Sequence, residues 1–251
     1  MEKQSTLAMT VLGVLLALGM SCAAFILGVQ AKKVASGQQQ SITVKGLAVK
    51  DVKADNAEWT VTISVNEPTF AEALNKLRSV RPTLDAFLVK EGLDKSGWME
   101  GSESVTAHMD TVYLPQGGSK TEQHGFDATQ SIVIASEDLA KIEAANKNIL
   151  ALQAEGHPIT ASSPLFLVST LEDIKMSLIA SATENARKRA EEFVKQDKVK
   201  VGVMRSASQG AFYILAPGGN SDTDDYGGTY DKTTIDKQAK VVVTIVYNIE
   251  Q

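Results

Sequence analysis

The chain is poor in cysteine, in histidine and in clustered basic residues. Its 251 residues include one cysteine, Cys22, which excludes an intrachain disulfide framework and a zinc site built on thiolates. The net charge is −5, whereas a nucleic-acid surface requires clustered lysine and arginine, so we expect no nucleic-acid partner. With 43% hydrophobic and 22% charged residues, the composition also excludes collagen-like and wholly disordered chains and predicts a sizeable core.

The sequence also lacks the motifs of common catalytic sites. No G-x-S-x-G, H-E-x-x-H, S-x-x-K or P-loop spacing occurs. Residues 117–121 (GGSKT) have the types that suit phosphate, but no upstream glycine and no following helix, so we predict a hairpin loop. Trp59 and Trp98 are predicted to be core or interface aromatics. We therefore predict no catalytic residue, no cofactor and no enzymatic activity.

Two patterns resemble metal sites, and both are incomplete. The histidines are His108, His124 and His157. Glu122 and His124 supply two ligand types on one segment, which is too few to hold a metal. The acids of 222–225 resemble a calcium loop, but Tyr226 takes its fifth position and Thr233 its twelfth, where a bidentate carboxylate is needed. We predict no metal ligand and a solvated acidic loop.

The amino terminus contains a long uncharged segment. Residues 7–29 read LAMTVLGVLLALGMSCAAFILGV, and a helix of this length would extend roughly 34 Å, enough to cross a hydrocarbon core of about 30 Å. A buried core helix is the alternative, but such helices are seldom apolar all round at a chain terminus. We predict a transmembrane helix that contacts the lipid bilayer through residues 7–29.

This segment is either retained or removed as a signal peptide. Val29-Gln30-Ala31 offers a modest cleavage site, but signal-peptide apolar regions are usually about 7–15 residues long. Gly19-Met20-Ser21 is a poor lipobox for Cys22. We favour retention, and divide the chain into an anchor or uncleaved signal sequence (1–33), a linker (34–40) and one folded domain (41–251).

The folded domain is predicted to be α+β with a mainly antiparallel sheet. Alternating or β-branched segments predict strands at 41–49, 58–67, 102–114, 123–135, 165–169, 199–208 and 235–249. Helices are predicted from Thr69 to Gly92, from Ser136 to about Gln153 and from Thr170 to about Gln196. From residue 58 to residue 169 the order is β-α-β-β-α-β, as in ferredoxin-like folds, and α-β-β follows. We expect helices packed on the sheet, and a hairpin between the first two strands.

Three finer features are predicted within these elements. Pro82 should kink or break the first helix near 80–81 because it removes a hydrogen bond. Residues 209–231 are rich in Gly, Asp and Ser and should form a long loop that is mobile or is ordered only by a neighbouring subunit. The third helix should bury one stripe against its own sheet, rather than against another subunit, and the stripe is Ile174, Leu178, Ala182, Ala186, Ala190 and Phe193.

Several ordered segments together resemble the SIMPL domain family of exported bacterial proteins. They are the opening Ser41–Gly46 strand (SITVKG), Ala54–Ala57 (ADNA), Gly125-Phe126, the Asp138-Leu139 pair and the helical Ala182–Glu191 segment. The family often has Pro-Asp-x-Ala where this chain begins with Ala54, and Gly-Tyr where it has Phe126. The resemblance extends over about 41–250.

The resemblance implies a periplasmic or envelope location and, in some members, homo-oligomers that form rings or cages. It carries over no catalytic residue. It also implies orientation, with the anchor in the bacterial inner membrane and the bulk of the chain in the periplasm.

Three functions follow from these observations. The first is a membrane-anchored, self-assembling periplasmic protein with a structural role or one in envelope or oxidative stress. The second is a periplasmic module that binds a small ligand or a metal, based on the 209–231 loop and His124. The third is an enzyme without a recognisable motif.

Overall fold

The structure is a computed structural model that describes residues 19–21, 23–26, 40–219 and 228–250. Residues 19–21 and 23–26 are helical, and the rest of the predicted 7–29 membrane segment lies outside the described residues. Within the described ranges, no helix combines the length and apolar character needed to span a bilayer.

Nine strands and three α-helices form the part of the chain described from residue 40 onward, which confirms the α+β class with antiparallel sheets. The strands are β1 (Ser41–Lys53), β2 (Asn56–Glu67), β3 (Trp98–Glu100), β4 (Ser104–Tyr113), β5 (Ser119–Ser136), β6 (Ile159–Ala161), β7 (Leu165–Leu167), β8 (Lys200–Leu215) and β9 (Asp236–Glu250). The helices are α1 (Phe70–Lys90), α2 (Leu139–Ala154) and α3 (Leu171–Val194).

Two sheets form, and the predicted hairpin between the first two strands is wrong. β9 lies between β1 and β8 in a three-stranded sheet, whereas β2 lies in a six-stranded sheet. At the step between β1 and β2, the N–H of Ala54 donates to Ile235 O and that of Asp55 donates to Leu167 O, both at 2.9 Å. The backbone N–H groups at this step are therefore paired with carbonyls of distant segments, whereas in a hairpin they would pair within the turn.

The six-stranded sheet is built around the antiparallel pair β2–β5. Its strand order is β3-β5-β2-β6, while β4 pairs with β5 and β7 pairs with β2. The register runs from Ala57 opposite Ser136 to Glu67 opposite Phe126. Odd-numbered residues of β2 and even-numbered residues of β5 therefore share one face, which is buried, as the alternation in the sequence predicts.

Helices α1 and α2 contribute to the core on this face. The core includes Trp59, Val61 and Ile63 from β2, Ile132 and Ile134 from β5, Leu77, Leu84 and Leu88 from α1, and Ile142 and Ile149 from α2. Each large aliphatic side chain removed from water contributes about 1.5–3 kcal/mol. The Nε1–H of Trp59 donates to Ser162 O at 3.0 Å, so this tryptophan is a core residue, as predicted.

Helix α1 continues through Pro82, so a break at this residue is wrong, and the kink given as its alternative stays a prediction. Its amino terminus is capped as predicted, since the Thr69 hydroxyl accepts from the N–H of Glu72. An ion pair spans the proline, with Arg81 Nε 2.6 Å from Asp85 Oδ1. Buried leucines lie on both sides of Pro82, and we attribute the continuity of the helix to this packing together with the ion pair.

Helix α2 begins two residues later than predicted. Its N-cap is Asp138, whose carboxylate accepts from the N–H of Lys141 at 3.2 Å. The predicted cap, Ser136, accepts from the N–H of Asp138 at 3.1 Å. Both side chains accept hydrogen bonds from backbone N–H groups that have no partner within the helix. Asp138, whose negative charge suits the amino terminus of a helix, is the N-cap.

The stripe of α3 is buried as predicted except at its last member. Ile174, Leu178, Ala182, Ala186 and Ala190 are all buried, but Phe193 is 68% exposed and Val194 takes its place. The i, i+4 spacing of the alanines continues to 194 and not to 193, which explains the error. The stripe is covered within a single copy of the chain.

Strand β8 extends to Leu215, so the first part of the predicted 209–231 loop is a strand. Ile214 forms an isolated bridge to Tyr230, and residues 220–227, with the acidic segment, lie outside the described residues. The carboxyl end of the fold closes on its beginning, because the N–H of Ile249 donates to Gln40 O at 2.8 Å.

By contacts, the chain divides into two compact units that interleave along the sequence. One contains Met1–Gly46, Thr183–Ser208 and Val243–Gln251, and the other contains Leu47–Ala182 and Gln209–Val242. The six-stranded sheet, α1, α2 and the core described above belong to the second unit.

Candidate interaction site

The carboxyl-terminal part of β4 and the start of β5 form a two-stranded ribbon. We call residues 108–125 the arm. Pairing of β2 with β5 ends at Glu67 opposite Phe126, so residues 119–123 of β5 pair with β4 alone in the described part of the chain. The turn confirms the predicted hairpin loop: Leu114 and Gly118 are joined by a 3.0 Å hydrogen bond, and Gly117 and Gly118 have φ of 89° and 94°.

A bulge marks the base of the arm. Ala107 pairs with Phe126, but Met109 pairs with Gln123, so β5 has one extra residue here. Gly125, within the bulge, has a φ of 85°, and a Cβ there would lie 2.5 Å from Glu67 O. Only glycine fits both conditions, which gives a physical reason for the Gly-aromatic pair noted in the sequence.

The aromatic partner of that glycine is packed at the sheet edge. Phe126 contacts Phe70 edge to face, with ring centroids 6.1 Å apart and an angle of 78°. This contact links the start of α1 to β5, next to the bulge.

Below the turn, two imidazoles and two carboxylates form what we call the His–Asp cluster: His108, Asp110, His124 and Asp127. His108 Nδ1 lies 2.7 Å from Asp127 Oδ2, and its Nε2 lies 3.2 Å from Asp110 Oδ1. His124 Nδ1 lies 2.7 Å from Asp110 Oδ2. The bulge contributes to this arrangement, because the β4–β5 register changes between the positions of the two histidines.

Three members of the cluster have pKa values shifted in favour of their charged forms. The hydrogen bond to Asp127 raises the pKa of His108, with a further contribution from Asp110. A hydrogen bond from His124 lowers the pKa of Asp110. Hydrogen bonds from Asn66 and then His108 lower the pKa of Asp127. The raised pKa of His108 increases the share of its imidazole that is charged at a given pH, and the charged form cannot accept a proton.

The Glu122–His124 pair does not build a larger metal centre. His124 Nε2 lies 3.9 Å from Glu122 Oε2, and Glu122 is already paired with Lys120 at 2.5 Å. Among the described residues, no group of three or more His, Cys, Asp or Glu side chains is arranged to hold a metal ion. The acids of 222–225 lie outside those residues.

The two faces of the arm differ in chemistry. His108 and Asp110 lie on one face, and Met109 and Tyr113 alternate with them on the other. Met109 is 55% exposed and Tyr113 is 81% exposed. A two-stranded ribbon is marginally stable by itself in water, so the arm is well suited to pairing with something else.

A second polar cluster, which the sequence did not reveal, surrounds Lys237. Its side chain is fully buried, and its Nζ donates to Asp231 O at 2.6 Å and Thr234 O at 2.5 Å. Burial lowers the pKa of Lys237, and the nearby Asp231 carboxylate opposes that shift. These contacts hold the segment from Asp231 to Thr234 against the start of β9.

The sequence contains a signal for the burial of this lysine. Lys237 continues the register of buried residues in β9, which are Ala239, Val241, Val243, Ile245 and Tyr247. A lysine in the inward register of a strand requires internal partners, because a buried ammonium is costly without them.

Three other residues singled out in the sequence, Asp55, His157 and Trp98, contact neighbouring side chains or backbone. Asp55 accepts from the backbone and hydroxyl of Ser169. His157 lies 3.8 Å from Glu155, and Lys95 lies over the Trp98 ring at 5.4 Å.

Comparison with known proteins agrees with the resemblance noted in the sequence. A family model described as SIMPL, protein of unknown function (DUF541), matches residues 42–247. A comparison with curated proteins finds no match. Since the matched range covers most of the chain, from the first strand into the last, the protein belongs to the SIMPL family.

Proposed function

We propose that this chain is a membrane-anchored envelope protein that assembles with copies of itself and has a structural or stress-related role rather than a catalytic one. Its anchor is the uncharged 7–29 segment, retained after export and seated in the bacterial inner membrane. The remainder of the chain lies in the periplasm.

The arm is the observation that carries the self-assembly part of this proposal. Among the described residues nothing pairs with the outer edges of its strands, and its exposed face carries Met109 and Tyr113. Exposed apolar side chains on an unpartnered strand mark sites of association between chains. The long uncharged segment supports the anchor, since the apolar region of a signal peptide is usually shorter.

Sedimentation velocity of the full-length protein in detergent tests the assembly. We expect a single species several times the mass of one chain, and a monomer at all concentrations would overturn the proposal. Intact mass of membrane-extracted protein tests the anchor, and a mature chain that begins at Lys32 would show that the segment is removed. Protease added to spheroplasts should degrade the folded domain, and its protection would place the domain in the cytoplasm instead.

We further infer that β2, α1, β4, β5, α2 and β7 follow the ferredoxin-like β-α-β-β-α-β topology. Support comes from the adjacent central strands β2 and β5, each followed in sequence by a helix. An experimental structure with a different strand order would overturn this inference.

A further inference from the structure

The sheet edges of this chain differ in how well they resist association. β3, β6 and β7 have three residues each, and short edge strands pair poorly. β1 carries Lys45, Lys50 and Lys53, and β8 carries Lys200, Gly202, Arg205 and Gly210. Lysine, arginine and glycine all disfavour edge pairing.

Strand β4 lacks these protections. It is ten residues long (SVTAHMDTVY), with no lysine, arginine, proline or glycine. In the described part of the chain it pairs with β5 alone. The extra residue of the bulge belongs to β5, so the outer edge of β4 remains a regular strand.

Symmetry restricts how two copies of β4 can pair. Two adjacent antiparallel strands are related by a two-fold axis that is perpendicular to the sheet, so matching faces of the two copies lie on the same side. The axis then passes midway between one residue and the same residue of the second copy. If that position is His108, the imidazoles oppose each other, and if it is Asp110, the carboxylates do.

One register satisfies both faces of the strand. With the axis at Met109, His108 of each copy lies opposite Asp110 of the other, and this happens twice. On the apolar face, the two Met109 side chains meet, and Tyr113 lies opposite Val105. Opposite charges and aromatic–β-branched pairs are the favourable cross-strand combinations.

We propose that two copies of this chain associate by antiparallel pairing of their β4 strands, with the two-fold axis at Met109. This interface rests on the self-assembly proposed above and names the edge that mediates it. Main-chain hydrogen bonds supply the affinity, and the alternating His108 and Asp110 supply the register. The partner is therefore a second copy of the same chain.

A cysteine cross-link tests the register in full-length, detergent-solubilised protein that carries Cys22→Ser. Met109→Cys places two thiols opposite each other on the axis, whereas Tyr113→Cys, more exposed, faces Val105 of the second copy. Paired thiols have millimolar effective concentrations, so Met109→Cys should form a covalent dimer about 100-fold faster than Tyr113→Cys at micromolar protein. Equal rates would overturn the register.

A charge exchange provides an independent test. His108→Asp places carboxylates opposite each other in a self-pair, and Asp110→His does the same with imidazoles. Near pH 6, below the usual histidine pKa, each variant alone should weaken association about tenfold or more. Mixed one to one, the two variants place an acid opposite an imidazole at both positions, and association should return. Failure of the mixture to associate more strongly than either variant would overturn the proposal.

The outcomes also separate this interface from the proposed function. If the wild-type protein is oligomeric but Met109→Cys cross-links no faster than its control, the β4 register is wrong and self-assembly stands. If the wild-type protein sediments as a monomer, both are wrong.

Discussion

The carboxylate of Asp55 accepts two hydrogen bonds from Ser169, one from its backbone N–H at 2.8 Å and one from its hydroxyl at 2.7 Å. Asp55 lies just before β2, and Ser169 lies two residues before α3. The pair therefore links two elements that are more than a hundred residues apart in sequence. This contact explains structurally why an acid occupies the second position of the Ala54–Ala57 segment.

Asp55→Ala should lower the free energy of unfolding by about 1–2 kcal/mol, because it leaves two donors without their acceptor. The urea midpoint should fall while the slope of the transition stays constant. Asp94→Ala is a matched control, since Asp94 caps a short helix without a side-chain hydrogen bond. Equal midpoints for the two variants would contradict the structural role of Asp55.

Gly125→Ala should destabilise the fold more than Gly117→Ala does. Both glycines have positive φ, which costs alanine about 1–2 kcal/mol. Only at Gly125 does the new Cβ also meet a backbone oxygen, Glu67 O at 2.5 Å, whereas nothing lies within 4 Å at Gly117. Thermal melting of both variants measures the difference. The same melting temperature for both would show that the backbone at the base of the arm shifts to accept the new Cβ without loss of stability.

Asp127→Asn should lower the pKa of His108 toward its usual value of about 6.5, because it removes the carboxylate that raises it. The pKa of His108 is higher in the folded state than in the unfolded one. Its contribution to stability is therefore present below about pH 6.5 and is lost as pH rises through the folded-state pKa. NMR titration of the His108 ring protons measures the shift.

Glu137→Gln is a charge-matched control for this titration, since it removes one acid from a position outside the His–Asp cluster. The His108 titration curve should be the same as in the wild-type protein. If Asp127→Asn also leaves the curve unchanged, the 2.7 Å contact with Asp127 does not persist in solution.

Asp231→Asn should reduce the loss in free energy of unfolding that occurs as pH falls below about 4. Burial opposes ionisation of Asp231, but hydrogen bonds from Thr234 and Thr233 outweigh it and hold the pKa of Asp231 well below its usual value. Such a carboxylate stabilises the fold above its unfolded pKa, near 4, and that stability is lost as pH falls further. Urea unfolding at pH 7 and at pH 3 should show a smaller decrease for the variant, and an equal decrease would contradict this role.

Ala186→Leu should cost about 1–3 kcal/mol, because Ala186 is fully buried in α3 and a larger side chain overpacks its site. Ala180→Leu, at an exposed alanine of the same helix, should change stability by about 0.5 kcal/mol or less. Since a single copy of the chain buries Ala186, we expect the melting temperature of the monomer to fall. A loss of assembly with unchanged monomer melting would place this stripe between subunits instead.

Local patterns in the sequence were sufficient where short-range physics determines structure. The alternation in β2 and β9 predicted their buried faces, and Thr69 and Glu72 predicted the start of α1. The glycines at 117–118 predicted the hairpin turn of the arm. In each case the partners lie within a few residues or repeat with a fixed period.

The features that the sequence did not predict depend on contacts between residues that are far apart in the chain. β1 follows the pattern of a strand, but nothing in it indicates that it pairs with β9 rather than β2. His108 and Asp127 meet across the β4–β5 pair, so their contact depends on a strand register that neither strand shows by itself. Helix α1 continues through Pro82 because core leucines on both sides of it are buried, and single-helix rules do not include such contacts.

The hydrogen bond between Ile249 and Gln40 places the exit of the last strand beside the entrance of the first. Any tag or fluorescent protein fused after Gln251 would thus emerge next to the chain that leads back to residues 7–29. Such a reporter would sense the surroundings of that leading segment. A bulky carboxyl-terminal fusion would also crowd the entrance to β1, so a short flexible spacer after β9 is the better way to carry a label.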